Sequence, residues 1–268
     1  MDDYGLEEED RKKWLWWAIP IVVVIALAAA LYYGRKHKEE PVAQPVKSAP
    51  VATAPEAPPS GHELAADAAN GRPLPALAES DAEVKDSLDG VFGRPLDQLL
   101  VPKDLVRHIV VTVDNLPRKK TAVQMWPLRA TGGTFAVSGS DNATLSAENF
   151  ARYEPIMKLL KNADSRQVVA VYQHYYPLFQ QAYVELGYPD GYFNKRLIEV
   201  IDHLLATPEI TGPIKLVQPG VFYQFADPTI EERSAGQKLL IRMGNDNAAA
   251  IKLKLRELRR ELVKRENQ

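Results

Sequence analysis

One uninterrupted apolar run near the N-terminus constrains this chain more than any other feature. Residues 14–33 read WLWWAIPIVVVIALAAALYY and carry no charge. As an α-helix, the run would be about 30 Å long, which matches the hydrocarbon core of a bilayer. Tryptophans begin the run and two tyrosines end it, as in the aromatic belts of membrane-spanning helices. We therefore predict a transmembrane helix over residues 14–34, after a short charged tail over residues 1–13.

A cleaved signal peptide is the alternative to a permanent anchor. Arg11–Lys13 would form its basic start, and Ala28–Ala30 would supply the small residues of a cleavage site. However, the run stays apolar through Leu31–Tyr33 and then meets Arg35 and Lys36. Basic residues directly after a cleavage site hinder export. The permanent anchor is therefore the favoured interpretation.

The orientation of the anchor follows from the size of the segments that flank it, because basic residues lie at both ends of the run. Long domains cross the membrane largely regardless of their charge, whereas a short tail usually stays in the cytoplasm. We therefore expect a single-pass protein of the inner membrane whose C-terminal domain faces the periplasm.

A segment rich in Pro and Ala follows the anchor. Residues 35–75 contain no aromatic side chain and almost no bulky aliphatic one, so they cannot build a core, and we predict a disordered linker. Residues 76–268 remain, and their length suits one soluble domain with a core of its own.

Helix start and stop signals place the helices of this domain. Ser80 and Glu83 predict a capping box, and Pro102 predicts the first turn of the next helix. Asp164 predicts the start of the longest helix of the domain, which ends at Leu186 and bends at Pro177. Further helix starts are expected at Ser146, Asp190, Asp227, Ser234 and Asn245.

Two short hairpins are the only strands that the pattern predicts. Residues 132–139 (GGTFAVSG) alternate between glycine boundaries, and residues 122–128 are the expected antiparallel partner. Residues 214–217 and 221–225 flank Pro219-Gly220 and predict the second hairpin. We therefore predict a mainly α domain, that is, α+β with short antiparallel hairpins.

Aromatic side chains recur at helical spacing between residues 172 and 186. Tyr172, Tyr176, Phe179 and Tyr183 fall on one face of the predicted helix. Core packing is the favoured interpretation, with the hydroxyl groups at the rim of the core. The alternative is a stacking surface for a sugar or a peptide, which makes Tyr172, Tyr176 and Tyr183 candidate binding residues.

A small basic loop follows the helix that Pro102 opens. Arg118, Lys119 and Lys120 come directly after Asn115-Leu116-Pro117. Such a turn is often only solvated, but it is also able to bind an anion or an acidic partner. These three residues complete the candidate binding set.

The sequence gives no catalytic centre. It contains neither a G-x-S-x-G motif nor a phosphate-binding glycine loop. Glu199 and His203 lie four residues apart and share a helix face, but the sequence offers no third ligand, so we expect no metal site. His108, His174 and His203 are the candidate general bases of the domain. Catalytic residues stay unassigned, and we expect no cofactor.

Composition narrows the choice of partner. The chain has no cysteine and a formal net charge of -2, with 33 basic and 35 acidic residues. A large basic groove for nucleic acid is therefore not expected. The terminal helix is basic and amphipathic: docking on its own domain is the favoured interpretation, and an anionic membrane or a partner's groove is the alternative.

The sequence motifs of three segments resemble those of one bacterial family. They read LLVPKDLVRHIVVTVDNLPRKK, YYPLFQQAYVELGYPDGYFNKRLIEVIDHLLATPE and FADPTIEERSAGQKLLIRMG. Together they resemble the family known as domain of unknown function 3014, over roughly Leu74 to Leu262. The resemblance implies an N-terminal anchor before a soluble domain, and it brings no activity, cofactor or site residue.

These features favour a membrane-anchored envelope protein whose domain binds a protein or a cell-wall ligand without catalysis. The alternative is an enzyme that acts on envelope polymers such as peptidoglycan.

Overall fold

The structure, a computed structural model, describes residues 73–139 and 142–266. These residues contain ten α-helices and two short antiparallel hairpins, so the domain is mainly α, as predicted. The predicted tail (1–13), the predicted anchor (14–34) and the predicted linker up to residue 72 lie outside the described residues. Within the described ranges, no helix combines the length and the apolarity that a bilayer crossing requires.

The helices and strands follow one another along the chain with short connections. The α-helices are α1 (Asp81–Phe92), α2 (Leu105–Asn115), α3 (Glu148–Ala151), α4 (Glu154–Asn162), α5 (Ser165–His174), α6 (Tyr176–Glu185), α7 (Phe193–Leu205), α8 (Pro228–Glu231), α9 (Ala235–Arg242) and α10 (Asn245–Glu266). The strands are β1 (Val137–Ser138), β2 (Thr144–Leu145), β3 (Leu216–Val217) and β4 (Gln224–Phe225).

The first two helices begin differently from the prediction. Ser80 precedes α1, but its hydroxyl donates to the carbonyl of Leu77 at 2.9 Å and caps no helical N–H, so the predicted capping box is wrong. Helix α2 begins at Leu105, three residues after Pro102, because the carboxylate of Asp81 accepts the N–H groups of Asp104 and Leu105 at 2.7 and 2.8 Å. A distant side chain therefore sets the start of α2.

The predicted long helix is two helices. Asp164 caps α5 as expected, since its carboxylate accepts the N–H of Arg166 at 2.8 Å. The helix ends at His174, and α6 starts at Tyr176 with Pro177 in its first turn. Proline has no N–H and a fixed φ, which suits the first turn of a new helix better than the middle of an old one. The longest described helix is α10 instead, with 22 residues.

Five later helix starts were predicted, with mixed results, and the start of α10 at Asn245 is confirmed. Asp227 and Ser234 cap α8 and α9 as expected, and their side chains accept the N–H groups of Thr229 and Gln237. Helix α7 starts at Phe193 after Tyr192, so the predicted cap at Asp190 is wrong. A short helix near Ser146 is confirmed as α3, whereas α4, with Pro155 in its first turn, was not predicted.

The two hairpins lie side by side. β1 pairs with β2, so the predicted partner at residues 122–128 is wrong, and a 3₁₀ helix (Val123–Met125) occupies that segment. β3 pairs with β4 across Pro219-Gly220, as predicted. An antiparallel bridge between Thr144 and Lys215 joins the hairpins.

Four groups of buried apolar side chains form the core. The largest group lies between α1, α2, α6 and the start of α7, and the partly buried Leu74 packs against it. The fourth group joins α5, α7 and α10 through Val169, Ile201 and Leu262. Because α10 packs on α4, α5 and α7, the favoured interpretation of a helix docked on its own domain is confirmed.

Candidate functional site

The predicted aromatic stripe lies mainly in the core. Tyr176, Phe179 and Tyr183 on α6 are buried, and Tyr172 on α5 is half-buried. The ring centroids of Tyr172 and Phe179 are 5.2 Å apart, and Phe179 stacks on Phe193 at 5.7 Å. Such offset and tilted pairs are typical of packed aromatic cores. The packing interpretation of the stripe is therefore confirmed, and ligand binding by its tyrosines stays a prediction.

Burial also sets the chemistry of Tyr172. It raises the pKa of the Tyr172 hydroxyl well above its ordinary value, and Tyr176 and Glu266 raise it further. The hydroxyl therefore stays protonated at physiological pH and donates to Oδ1 of Asn194 at 3.5 Å.

A row of aromatic rings runs from this core to the loop between α6 and α7. Tyr183 lies 5.6 Å from Phe193 and stacks on Tyr188 at 4.6 Å, with 15° between the ring planes. A Cβ atom at Gly191 would lie only 3.0 Å from the Tyr183 ring, so glycine permits this close approach. The row ends at the surface, where the neighbouring Tyr192 is 39% exposed.

A buried carboxylate organises the surface beside this loop. The side chain of Asp114, near the end of α2, is 3% exposed. Its Oδ2 accepts from Arg118 at 2.5 Å and from the Tyr188 hydroxyl at 3.2 Å, and its Oδ1 accepts from Nε of Arg196 at 3.0 Å. We call Asp114, Arg118, Tyr188 and Arg196 the Asp114 cluster.

Local structure places each member of the Asp114 cluster. Helical spacing puts Arg118 one turn after Asp114, and the first turn of α7 supplies Arg196. Arg196 also donates to the main-chain oxygen of Asp114 at 3.1 Å and lies 3.5 Å from Glu199. A buried carboxylate that meets two guanidinium groups and a hydroxyl is well satisfied, and the loss of any partner would be destabilising.

Two pKa values in and beside the Asp114 cluster are raised. Asp114 raises the pKa of Arg118, chiefly through its negative charge. Burial, followed by the charge of Asp114, raises the pKa of Tyr183. Arg118 is therefore a permanent cation at this surface, and Tyr183 is a neutral phenol.

Backbone contacts fix the basic loop (Arg118–Lys120) against α9. The N–H of Ala235 donates to the carbonyl of Arg118 at 2.7 Å, and the N–H of Gly236 donates to that of Leu116 at 2.9 Å. A Cβ atom at residue 236 would lie 2.6 Å from Cδ2 of Leu204. Glycine at this position therefore allows the close contact that holds the loop.

The basic loop presents cations to solvent. Lys119 and Lys120 are exposed, and among the described residues neither makes an ion pair or a side-chain hydrogen bond. Arg118 is 53% exposed and uses Nη2 for both Asp114 and Tyr188. Two ammonium groups beside a fixed guanidinium group are suited to carboxylate or phosphate oxygens.

The structure therefore brings together two patterns that are separate in the sequence. Tyr183 and Arg118 meet through Tyr188, whereas Tyr172 and Tyr176 lie deeper in the domain. Sequence reasoning missed Asp114 as the centre, although an acid four residues before Arg118 on a helix is a recognisable pair.

The side chains of His203 and Glu199 on α7 contact different partners and do not face a common ligand position. Nε2 of His203 lies 2.8 Å from Oγ of Ser234, which caps α9, while Glu199 faces Arg196. Burial, followed by the charge of Arg196, lowers the pKa of His203. Within residues 73–139 and 142–266, no three His, Cys, Asp or Glu side chains are grouped as a metal site requires.

An open cleft of about 810 Å³ lies on another part of the described surface. Its lining combines apolar side chains, such as Phe150, Ile210 and Ile214, with the exposed Lys158 and Lys161. The cleft combines α3, α4, the loop before β3 and the start of α10, which are distant in sequence, so no local pattern predicts it. Its size is within the range of ligand pockets.

The fold and the site define a mainly helical domain that holds a fixed cationic and aromatic surface. The chain belongs to the family described as protein of unknown function (DUF3014), whose sequence model matches residues 105–259. The family resemblance of the sequence is thus confirmed, over a range that includes the whole Asp114 cluster. No curated protein and no solved structure matches the chain.

Proposed function

We propose that this chain is a single-pass inner-membrane protein of the bacterial envelope whose periplasmic domain binds an acidic partner without catalysis. The apolar run over residues 14–34 supports the anchor, and the Pro- and Ala-rich linker supports a tethered domain. The Asp114 cluster with its basic loop carries the binding role.

Two properties of this surface favour binding. Arginine and tyrosine are among the residue types enriched at the energetic centres of interfaces, and here Arg118 donates to the Tyr188 hydroxyl at 2.9 Å. Side chains that are already fixed lose little conformational entropy when a partner binds. The exposed Lys119 and Lys120 add positive charge, so the preferred partner is rich in carboxylate groups, such as an acidic protein segment or a cell-wall polymer.

Membrane extraction tests the anchor. The full-length chain should stay in the pellet after carbonate extraction, because an apolar helix of this length inserts stably. A mature N-terminus near Leu31 would instead show a cleaved signal peptide.

Reporter fusions test the orientation. Alkaline phosphatase fused to the C-terminus should be active, since this enzyme requires an oxidising compartment. Fluorescence from a C-terminal reporter that folds only in the cytoplasm would contradict the proposed topology.

Site-specific photo-crosslinking in cells tests the binding surface. A photoreactive residue in place of Tyr192 should yield a discrete crosslinked species that the double variant Lys119→Glu/Lys120→Glu loses. The matched control is Lys103→Glu/Lys215→Glu, which reverses two lysines that are also exposed and should keep the crosslink.

The same variants distinguish binding from the alternative enzyme. Equal crosslinking in both double variants would contradict the proposed surface. Release of soluble fragments from purified peptidoglycan by the full-length protein would favour an enzyme of envelope polymers.

A further inference from the structure

An apolar cavity of about 370 Å³, partly open to solvent, lies between the helices of the domain. Seven of the longer helices contribute to its wall, and none of the lining residues is exposed. Representative lining residues are Val84, Leu159, Val169, Phe179, Ile201 and Leu262. They belong to the first and fourth groups of the core, so the void runs between packed groups and is not a defect within one.

This void is too large to be ordinary packing. Protein interiors contain few spaces larger than one water molecule, which takes roughly 30 Å³ in the liquid. The cost of an empty cavity increases with its volume, and an apolar cavity without polar partners does not hold ordered water. A cavity of this size therefore favours any apolar molecule that fits it.

The lining decides the chemistry of the occupant. It contains no charged side chain, and its hydroxyl groups are those of Tyr172 and Tyr175. The Tyr175 hydroxyl is already hydrogen-bonded to Ser87 at 2.9 Å. A charge inside this wall would lose its hydration without compensation, so the enclosed part of the ligand is neutral.

The polar end of the ligand has a matching feature beside Tyr172. Asn194 does not itself line the cavity, but it directly follows the lining residue Phe193. It is fully buried, and among the described residues its Nδ2 has no hydrogen-bond partner and its Oδ1 accepts only a long bond from Tyr172 at 3.5 Å. An unpaired buried amide N–H is costly. The neutral oxygen of an ester or an amide would serve as its acceptor.

We propose that this cavity binds one acyl chain of about twelve carbons, joined to a neutral ester or amide head. A methylene group occupies about as much space as a water molecule, which gives this chain length for the observed volume. A void that extends between separate core groups suits a linear chain better than a compact ring system. The binding site is independent of the Asp114 cluster.

Photolabelling of the full-length chain in lipid nanodiscs tests this proposal. The probe is the methyl ester of a twelve-carbon acid with a diazirine at its terminal carbon. It should label peptides from α4, α5 and α6, and unlabelled methyl esters should compete best at about twelve carbons within a series of roughly six to sixteen. Labelling of those peptides without such competition, or labelling confined to residues 14–34, would overturn it.

A matched pair of variants adds a second criterion. Val169→Phe places a ring in the cavity wall, whereas Val123→Phe makes the same change at a residue that is 61% exposed. Labelling should decrease about tenfold or more in the first variant and stay constant in the second, because only the first removes the space that binding requires. Equal labelling of the two variants would refute the cavity as the site.

The stability of the empty protein gives an independent result. Val169→Phe should keep or raise the unfolding temperature because it fills a void, whereas overpacking of a filled core would lower it. If Val169→Phe does not fold, the core has no free space for a ring, and the proposal fails. Only a chain-length optimum in the competition series with the wild-type protein would still support it. Mass analysis of lipid extracted from the purified protein distinguishes a phospholipid chain from a free acyl ester.

Discussion

Phe179 is the residue whose truncation tests the aromatic core most directly. Its ring is buried between Tyr172 and Phe193. Phe179→Ala should lower the free energy of unfolding by about 3–5 kcal/mol, as truncations of buried aromatic residues do. Urea unfolding of the soluble fragment from residue 74 onward measures this change.

The matched control for this prediction is Phe222, which lies beyond Pro219-Gly220 in the second hairpin and is 81% exposed. Phe222→Ala should change the free energy of unfolding by no more than about 0.5 kcal/mol. Similar losses for the two variants would mean that burial does not determine the contribution of these rings.

His203 should make the stability of the domain depend on pH. Burial lowers its pKa in the folded state below the ordinary value of 6.5, so the unfolded chain binds a proton that the folded domain does not. Stability is therefore complete above about pH 6.5 and decreases as the pH falls toward the lower folded pKa. Thermal unfolding between about pH 7.5 and 5.5 measures the slope.

Substitution of His203 identifies the source of that slope. His203→Gln should flatten the dependence in this window, whereas His62→Gln, in the predicted linker, should leave it unchanged. An unaltered slope in the His203 variant would assign the dependence to other groups. Carboxylates with lowered pKa values, such as Glu231 and Glu257, lose their contribution only at more acidic pH.

At the level of the elements, Asp81 is the residue that couples α1 to α2. Its carboxylate accepts two N–H groups at the start of α2, as a local cap would. Asp81→Ala should therefore cost about 1 kcal/mol, within the range of helix caps. Asp86→Ala is the control, because Asp86 is exposed on the same helix and should change stability by less than about 0.5 kcal/mol. Equal effects in urea unfolding would contradict the coupling.

The elements that sequence reasoning predicted correctly depend on local contacts. The caps at Asp164, Asp227 and Ser234 each bond an N–H two or three residues away. The second hairpin follows from Pro219-Gly220 in the same way. Such signals are contained in a few consecutive residues, so the sequence alone is sufficient to find them.

The elements that were missed depend on distant partners. The start of α2 is determined by Asp81, which is 24 residues before Leu105. β1 pairs with β2 and not with the preceding residues 122–128. That segment instead forms a 3₁₀ helix and a bridge between Leu128 and Leu100. The helix breaks at Tyr175, and the row of aromatic rings on α6 then turns toward α7. Periodicity within one predicted helix does not reveal such a break.

For the whole domain, we predict that the linker is dispensable for folding. Its composition offers too little apolar surface to offset the entropy lost on ordering. A fragment from residue 74 onward should unfold cooperatively at the same temperature as one from residue 39 onward. A large decrease on truncation would show that the linker packs on the domain.

The candidate site could be predicted only in parts. The aromatic stripe and the basic loop are visible in the sequence, but their meeting through Tyr188 is not. The Asp114 cluster joins Asp114 to residues 74 and 82 positions later in the chain. The two cavities likewise combine segments that only the tertiary fold brings together.

Helix α10 has a consequence for how the polypeptide reaches its native state during synthesis. It bonds to α5 through Ser165 and Glu257 at 2.7 Å, a pair 92 residues apart in sequence, and Leu262 completes a core group that begins at Val169. Contacts of such long range form late and slow the folding rate. The core group of Val169, Ile201 and Leu262 therefore cannot close until the ribosome has made α10, and the apolar sides of α5 and α7 that α10 covers stay exposed until then.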